Sequence, residues 1–209
     1  MRSLLFVPGD DARKLEKGLG TDADALIFDL EDSVAEARKD QARHITAQAL
    51  HAETSKQRFV RLNPFDTGRL PADLDAALAG RPDGVILPKA NSARAVQRLA
   101  RLMDRAGADP ACSIIAIASE TPAAVQALSR DDWHHPRLLG LMWGAEDLAA
   151  ELGASRNRVD GQPTQPFRLA RNLALMAAKA AGVLAIDTVY ADFRDAAGLQ
   201  REAEEAAAD

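Results

Sequence analysis

A chain of 209 residues, 47% of them hydrophobic, is long enough for one sizeable core and short for two ordinary domains, so a single domain over residues 1–209 is expected. Its formal net charge of -5 and its 4% aromatic content argue against a basic face or a base-stacking platform, which excludes nucleic acid as the expected partner. The lone cysteine, Cys112, rules out an internal disulfide, no segment approaches the roughly 20 apolar residues of a membrane span, and the apolar run at the N-terminus is shorter than a signal sequence. The expectation is a cytoplasmic protein with no membrane partner.

Short runs rich in Val, Ile and Leu alternate with stretches of helical period, the pattern of βαβ units around a parallel sheet. The candidate strands are Leu4 to Val7, Ala25 to Leu30, Phe59 to Leu62, Gly84 to Leu87, Ser113 to Ala118, Leu138 to Trp143 and Leu184 to Tyr190. Asp11 is placed to cap a helix that holds Leu15 and Leu19 and stops at Gly20. Leu70-Pro71 opens another that runs to Gly80, and Ser92 is placed to cap one carrying Val96, Leu99, Ala100 and Met103. Thr121 and Pro122 read as an N-cap and first helical position, followed later by helices over Pro166 to Ala181 and Arg194 to Ala208. Arg156 to Pro166 reads as a loop. The count is about seven β/α units, one short of a closed TIM-type (β/α)₈ barrel. The fold class is read as that α/β barrel with its last strand missing or beyond the C-terminus, and an open α/β sheet is the alternative.

In a barrel the reacting groups project from the C-terminal strand ends. Those ends carry Asp29, Glu31 and Asp32 on the second strand, Arg61 on the third, Lys89 on the fourth, Glu120 on the fifth, and Glu146 and Asp147 after the sixth. Acids converging on one mouth repel unless a cation neutralises them, and oxygen-only ligands point to Mg²⁺. Glu120 and Asp147 are the expected metal ligands, with Asp29, Glu31 and Asp32 holding its waters. Each acid also has a plainer reading, as a helix cap or a complement to a helix dipole. Arg61 is either a substrate contact or a structural ion pair with these acids, and Lys89 either a Schiff-base lysine or an ion-pair partner. His44, His51, His134 and His135 lack metal-ligand spacing.

Taken together, Arg2-Ser3-Leu4-Leu5-Phe6-Val7-Pro8-Gly9, Asp29-Leu30-Glu31-Asp32-Ser33-Val34, Arg61-Leu62-Asn63, Leu87-Pro88-Lys89, Glu120-Thr121, Gly144-Ala145-Glu146-Asp147-Leu148 and Ala185-Ile186-Asp187 run in one order across nearly the whole chain. In that order they resemble the citrate lyase β-subunit and malyl-CoA lyase family of the HpcH/HpaI aldolase group. The resemblance implies a (β/α)₈ barrel with Mg²⁺, or Mn²⁺ in its place, on Glu120 and Asp147. It implies catalytic roles for Arg61, Glu120 and Asp147, with Arg61 and Glu120 bordering the substrate, and Arg13 and Lys17 on the phosphates of a CoA thioester. The implied reaction cleaves or forms a short β-hydroxyacyl-CoA, such as citryl-CoA or malyl-CoA, from acetyl-CoA and an oxo acid. A homotrimer, or a multiple of it, and the other subunits of a lyase complex are the implied partners.

Ser119 and Pro122 depart from the family's usual residues around the metal-binding Glu. Malyl-CoA lyases also continue beyond the point matching Asp209, through a last strand to a lid that supplies an acid to the neighbouring subunit. Two rival readings are a metal-dependent pyruvate aldolase without CoA, whose relatives carry His where this chain has Asp32, and a non-catalytic barrel subunit of a lyase complex.

Overall fold

The computed structural model describes all of residues 1–209. The chain alternates β1 (Leu4–Pro8), α1 (Ala12–Leu19), β2 (Ala25–Asp29), α2 (Lys39–Ala49), β3 (Gln57–Arg61), α3 (Leu70–Ala79), β4 (Gly84–Leu87), α4 (Ala93–Arg105), β5 (Ser113–Ile117), α5 (Pro122–Leu128), β6 (Leu138–Met142) and α6 (Ala145–Leu152). A small antiparallel hairpin, β7 (Arg158–Val159) and β8 (Gln162–Pro163), precedes α7 (Gln165–Ala181), β9 (Leu184–Ile186) and α8 (Ala196–Ala208). The seven main strands are parallel and lie in the order β1-β2-β3-β4-β5-β6-β9. β1 and β9 remain unpaired with each other, so the sheet curls into a half-barrel that lacks its closing strand.

The central strands β2, β4, β5 and β6 are apolar on both faces, as buried parallel strands must be, whereas the edge strands β1 and β9 leave Leu5 and Leu184 exposed. Ala25, Ile27, Phe59, Ile86, Ile115, Ile117 and Met142 pack together inside the curl. Leu26, Phe28, Val60, Val85, Leu87, Ile114, Ala116 and Leu141 face the helices and join the large outer core with Leu15, Leu74, Val96, Leu99 and Phe167. Because side chains alternate along a strand, Asp29 follows Ile27 and Arg61 follows Phe59 onto the inner face. The register pairs Asp29 with Arg61 directly, so acid and base meet at the C-terminal rim.

Asp11 caps α1 by accepting from the N–H groups of Arg13 (3.0 Å) and Lys14 (3.2 Å), and Thr121 caps α5 through Ala124 N–H at 3.1 Å. Ser92 does not cap α4 through its side chain. Asp131 takes that role instead, accepting from Ala93 N–H at 3.1 Å. The last strand ends at Ile186 rather than Tyr190, because Asp187 and Thr188 turn their side chains towards Trp143 and Ala145 N–H. The stretch 156–166 carries the hairpin within the expected loop.

Candidate active site at the barrel rim

Arg61 is the hub. Its Nε and Nη2 donate to the two oxygens of Asp29, each at 2.7 Å, a bidentate pair. Nη1 lies 2.9 Å from Glu31 Oε2 and 3.5 Å from Asp32 Oδ2. The Glu31 contact is an ion pair without hydrogen-bond alignment, since that oxygen has no well-directed donor. The guanidinium also sits 4.9 Å from the centre of the Phe6 ring. Asp29 is 1% exposed and accepts additionally from Glu31 N–H and Ser33 N–H. Burial works against its charge, yet the hydrogen bonds from Arg61 outweigh it and hold the carboxyl below its ordinary value. The ion-pair alternative for Arg61 is therefore present in the structure. Asp32 stays exposed.

Glu120, at the end of β5, is 2% exposed and accepts a single hydrogen bond, from Lys89 N–H. Burial raises its carboxyl to about 8, and the nearby charges of Asp147 and Glu31 add to the rise. Glu31 is likewise raised by burial, to about 7. Asp147, in the first turn of α6 behind β6, is half-buried and lies 3.4 Å from Lys89 Nζ. Lys89 Nζ donates to Glu31 Oε1 at 3.1 Å, the ion-pair alternative for this residue.

The two departures around Glu120 have structural roles. Ser119 is fully buried and accepts from Gly144 N–H at 3.0 Å, which ties the ends of β5 and β6 together, and Pro122 occupies the first position of α5. Gly144 leaves room for Glu120: a Cβ there would lie 2.8 Å from Glu120 Cγ.

A cation fits this donor set. A buried carboxylate with one neutral donor and two acidic neighbours is undercompensated, and two protein oxygens suffice for Mg²⁺, which keeps several waters. No three His, Cys, Asp or Glu side chains form a ready-made cage. Arg13 and Lys17 lie one turn apart on the exposed face of α1, directly after β1, and form no ion pair.

A cleft of about 880 Å³ lies at the opposite end of the barrel, where Gln57 and Ser113 begin their strands. Two of its three acids are committed to main-chain groups, Asp83 to Arg58 N–H and Asp109 to Ala111 N–H, which leaves Asp75 as its one unpaired acid. The rim has the denser chemistry.

Beneath the rim lies a network with no counterpart among the sequence candidates. Asp73, fully buried on α3, accepts from Asn63 N–H (2.8 Å), Asn63 Nδ2 (2.7 Å) and Arg43 Nε (2.7 Å). Asn63 Nδ2 also donates to Leu30 O, and Lys39 Nζ donates to Leu30 O (2.7 Å) and Glu31 O (2.6 Å). These side chains hold the backbone that carries Asp29, Glu31 and Asp32. One signal was available: Lys39 begins a helix, the end where a cation is disfavoured by the dipole.

Residues 2–208 match the model of the HpcH/HpaI aldolase/citrate lyase family. The chain belongs to this family. Among curated relatives it is 38% identical to the (3S)-malyl-CoA thioesterase of Cereibacter sphaeroides KD131 over 98% of this chain and 68% of that protein. It is 35% identical to the citrate lyase β-subunit of Escherichia coli K12, over 97% of this chain and 68% of that protein. Among solved structures of HpcH/HpaI relatives, the citrate lyase β-subunit from Mycobacterium tuberculosis with oxaloacetate and magnesium superposes with a TM-score of 0.85 at 38% identity, over 99% of this chain and 86% of that one. The CitE protein of M. tuberculosis bound to magnesium, acetoacetate and coenzyme A gives 0.84 at 38% identity, over 98% and 72%.

Proposed function

We propose that this HpcH/HpaI-family protein is a Mg²⁺-dependent carbon–carbon lyase that splits a short β-hydroxyacyl-CoA, such as malyl-CoA or citryl-CoA, into acetyl-CoA and an oxo acid. The observation that carries the reading is Glu120: a buried, undercompensated carboxylate beside Asp147, on the strand end next to it and facing the Arg61 hub. Magnesium, oxaloacetate, acetoacetate and coenzyme A in the relatives' structures support it.

In the cleavage direction the hydroxyl proton passes to water or a basic group, and the bond between the α and β carbons breaks to leave the oxo acid. Its electron pair passes to the thioester as an enolate, whose oxygen takes the negative charge, and the α carbon finally takes up a proton to give acetyl-CoA. Arg61 is oriented for that enolate oxygen: Asp29 takes two of its five N–H donors, and the ion pairs to Glu31 and Asp32 help fix the guanidinium plane, so it needs no reorganisation as charge develops. Glu120 and Asp147 would hold Mg²⁺, which supplies Lewis-acid polarisation of the substrate's hydroxyl and carboxylate oxygens. Asp29, Glu31 and Asp32 serve the same rim by orienting Arg61 and the waters around the cation. Arg13 and Lys17, free of ion pairs at the start of the barrel, suit the CoA phosphates. Assembly as a homotrimer, action in the cytoplasm and Mn²⁺ as an alternative ion belong to the same proposal.

A second reading is hydrolysis of malyl-CoA, favoured by the 38% identity to a (3S)-malyl-CoA thioesterase. A screen of citryl-, malyl-, methylmalyl- and citramalyl-CoA, with and without Mg²⁺, separates the two. A lyase releases acetyl- or propionyl-CoA with an oxo acid, whereas a thioesterase releases free CoA with the intact hydroxy acid. Absence of both products from all four thioesters would overturn the proposal.

A further inference from the structure

Lys89 follows Leu87-Pro88 at the end of β4 and has no part in the reaction derived above. Three observations single it out. Its φ is +50°, in the left-handed region that non-glycine residues rarely occupy, and such strain persists only where the surroundings impose it. The backbone so turned directs Lys89 N–H at Glu120. The side chain places Nζ between Glu31 and Asp147, at 3.1 and 3.4 Å. One residue thus engages acids from three other strand ends.

The two side-chain contacts are unequal. Glu31 is 4% exposed and accepts a hydrogen bond from Nζ, so that pair is buried and directed. Asp147 is 31% exposed, and its contact is an ion pair without a hydrogen bond. Asp147 is the exchangeable partner, and it is also one of the two carboxylates read above as cation ligands. An ammonium beside it neutralises the rim when no divalent cation is bound and repels that cation when it arrives.

We propose that Lys89 is a built-in counter-ion that competes with the divalent cation for Asp147 and retires onto Glu31 when the cation binds. The consequence is that the bare rim holds metal weakly and that substrate oxygens are needed to complete a tight site. The proposal rests on the metal reading of Glu120 and Asp147, and its test separates the two.

Mn²⁺ is titrated into the full chain without substrate, with free Mn²⁺ read by electron paramagnetic resonance and Mg²⁺ added as competitor. Wild type, Lys89→Met, Lys89→Arg and Glu120→Gln are compared. Lys89→Met removes the charge and keeps the main-chain N–H, so it should bind Mn²⁺ about tenfold more tightly than wild type or better. Its metal-free form should melt below wild type, because the acids lose a cation. Lys89→Arg keeps the charge and should bind no more tightly than wild type. Lys89→Gln carries the same test if the Met variant does not fold. Equal or weaker Mn²⁺ binding by the charge-removed variant overturns the role of Lys89 while leaving the metal site standing. Indistinguishable binding by wild type and Glu120→Gln overturns both.

Discussion

Replacing Arg61 by Met leaves Asp29 and Glu31, 1% and 4% exposed, without their shared cation. Lys89 still pairs with Glu31, so the loss falls mainly on Asp29, whose bidentate partner is gone. Breaking a buried pair by removing one partner costs about 3–5 kcal/mol, and the 11% exposure of the Arg61 side chain places this pair in that class. Asp29 is held below its ordinary value in the wild type, so the pair contributes stability above the unfolded carboxyl value of about 3.9 and loses it as pH falls through the lower folded value. In the variant only the Glu31 and Ser33 N–H groups still oppose burial, so the carboxyl rises and its charge becomes a liability at neutral pH that protonation relieves. Urea unfolding at constant ionic strength should therefore show a gap of about 3–5 kcal/mol at pH 7 that narrows towards pH 5. A gap below about 1 kcal/mol, the range of an exposed pair, or one that does not change with pH, would refute the reasoning.

Gly144→Ala should weaken Mg²⁺ binding and cost about 1–3 kcal/mol of stability, because its added Cβ lies 2.8 Å from Glu120 Cγ and 3.2 Å from Ile117 Cγ2 although the backbone there suits any residue; calorimetric titration and thermal melts check it. Arg13→Ala and Lys17→Ala should raise KM for the thioester more than they lower kcat, and an unchanged KM puts the CoA elsewhere. Lys39→Met removes two donors from the Leu30 and Glu31 carbonyls and should lower kcat about tenfold in the wild type but not further in an Arg61→Lys background, since both act on one unit; additive losses would contradict this.

Much of the fold was legible because it depends on pattern. The apolar runs at Ala25, Phe59, Gly84 and Ser113 are too short and too uniformly buried to be anything but parallel strands, and Thr121-Pro122 carries its cap in its chemistry. Asp29 and Arg61 could be placed at the rim because each ends an apolar run. What sequence did not reveal are contacts between groups far apart in the chain. Asp73 looks like an ordinary first-turn acid until α3 packs against Arg43 and Asn63, and Ser92 looks like a cap until Asp131 reaches Ala93. Helix α2 was hidden because its buried stripe, Ala42 and Thr46, is weakly apolar. Lys89 was ambiguous for a different reason: its meaning depends on a backbone turn that no local propensity predicts.

The central claim is that Glu120 and Asp147 hold the cation on which the reaction depends. The direct measurement is the rate of acetyl-CoA release from malyl-CoA against Mg²⁺ concentration, for wild type, Glu120→Gln and Asp147→Asn, with thermal melts run alongside. The wild-type rate should saturate with Mg²⁺ and vanish on chelation, and both variants should melt like folded proteins yet lose metal-dependent turnover, since relief of acid–acid repulsion offsets the lost contacts. Wild-type turnover that survives exhaustive chelation, or either variant retaining its full rate, would contradict the account.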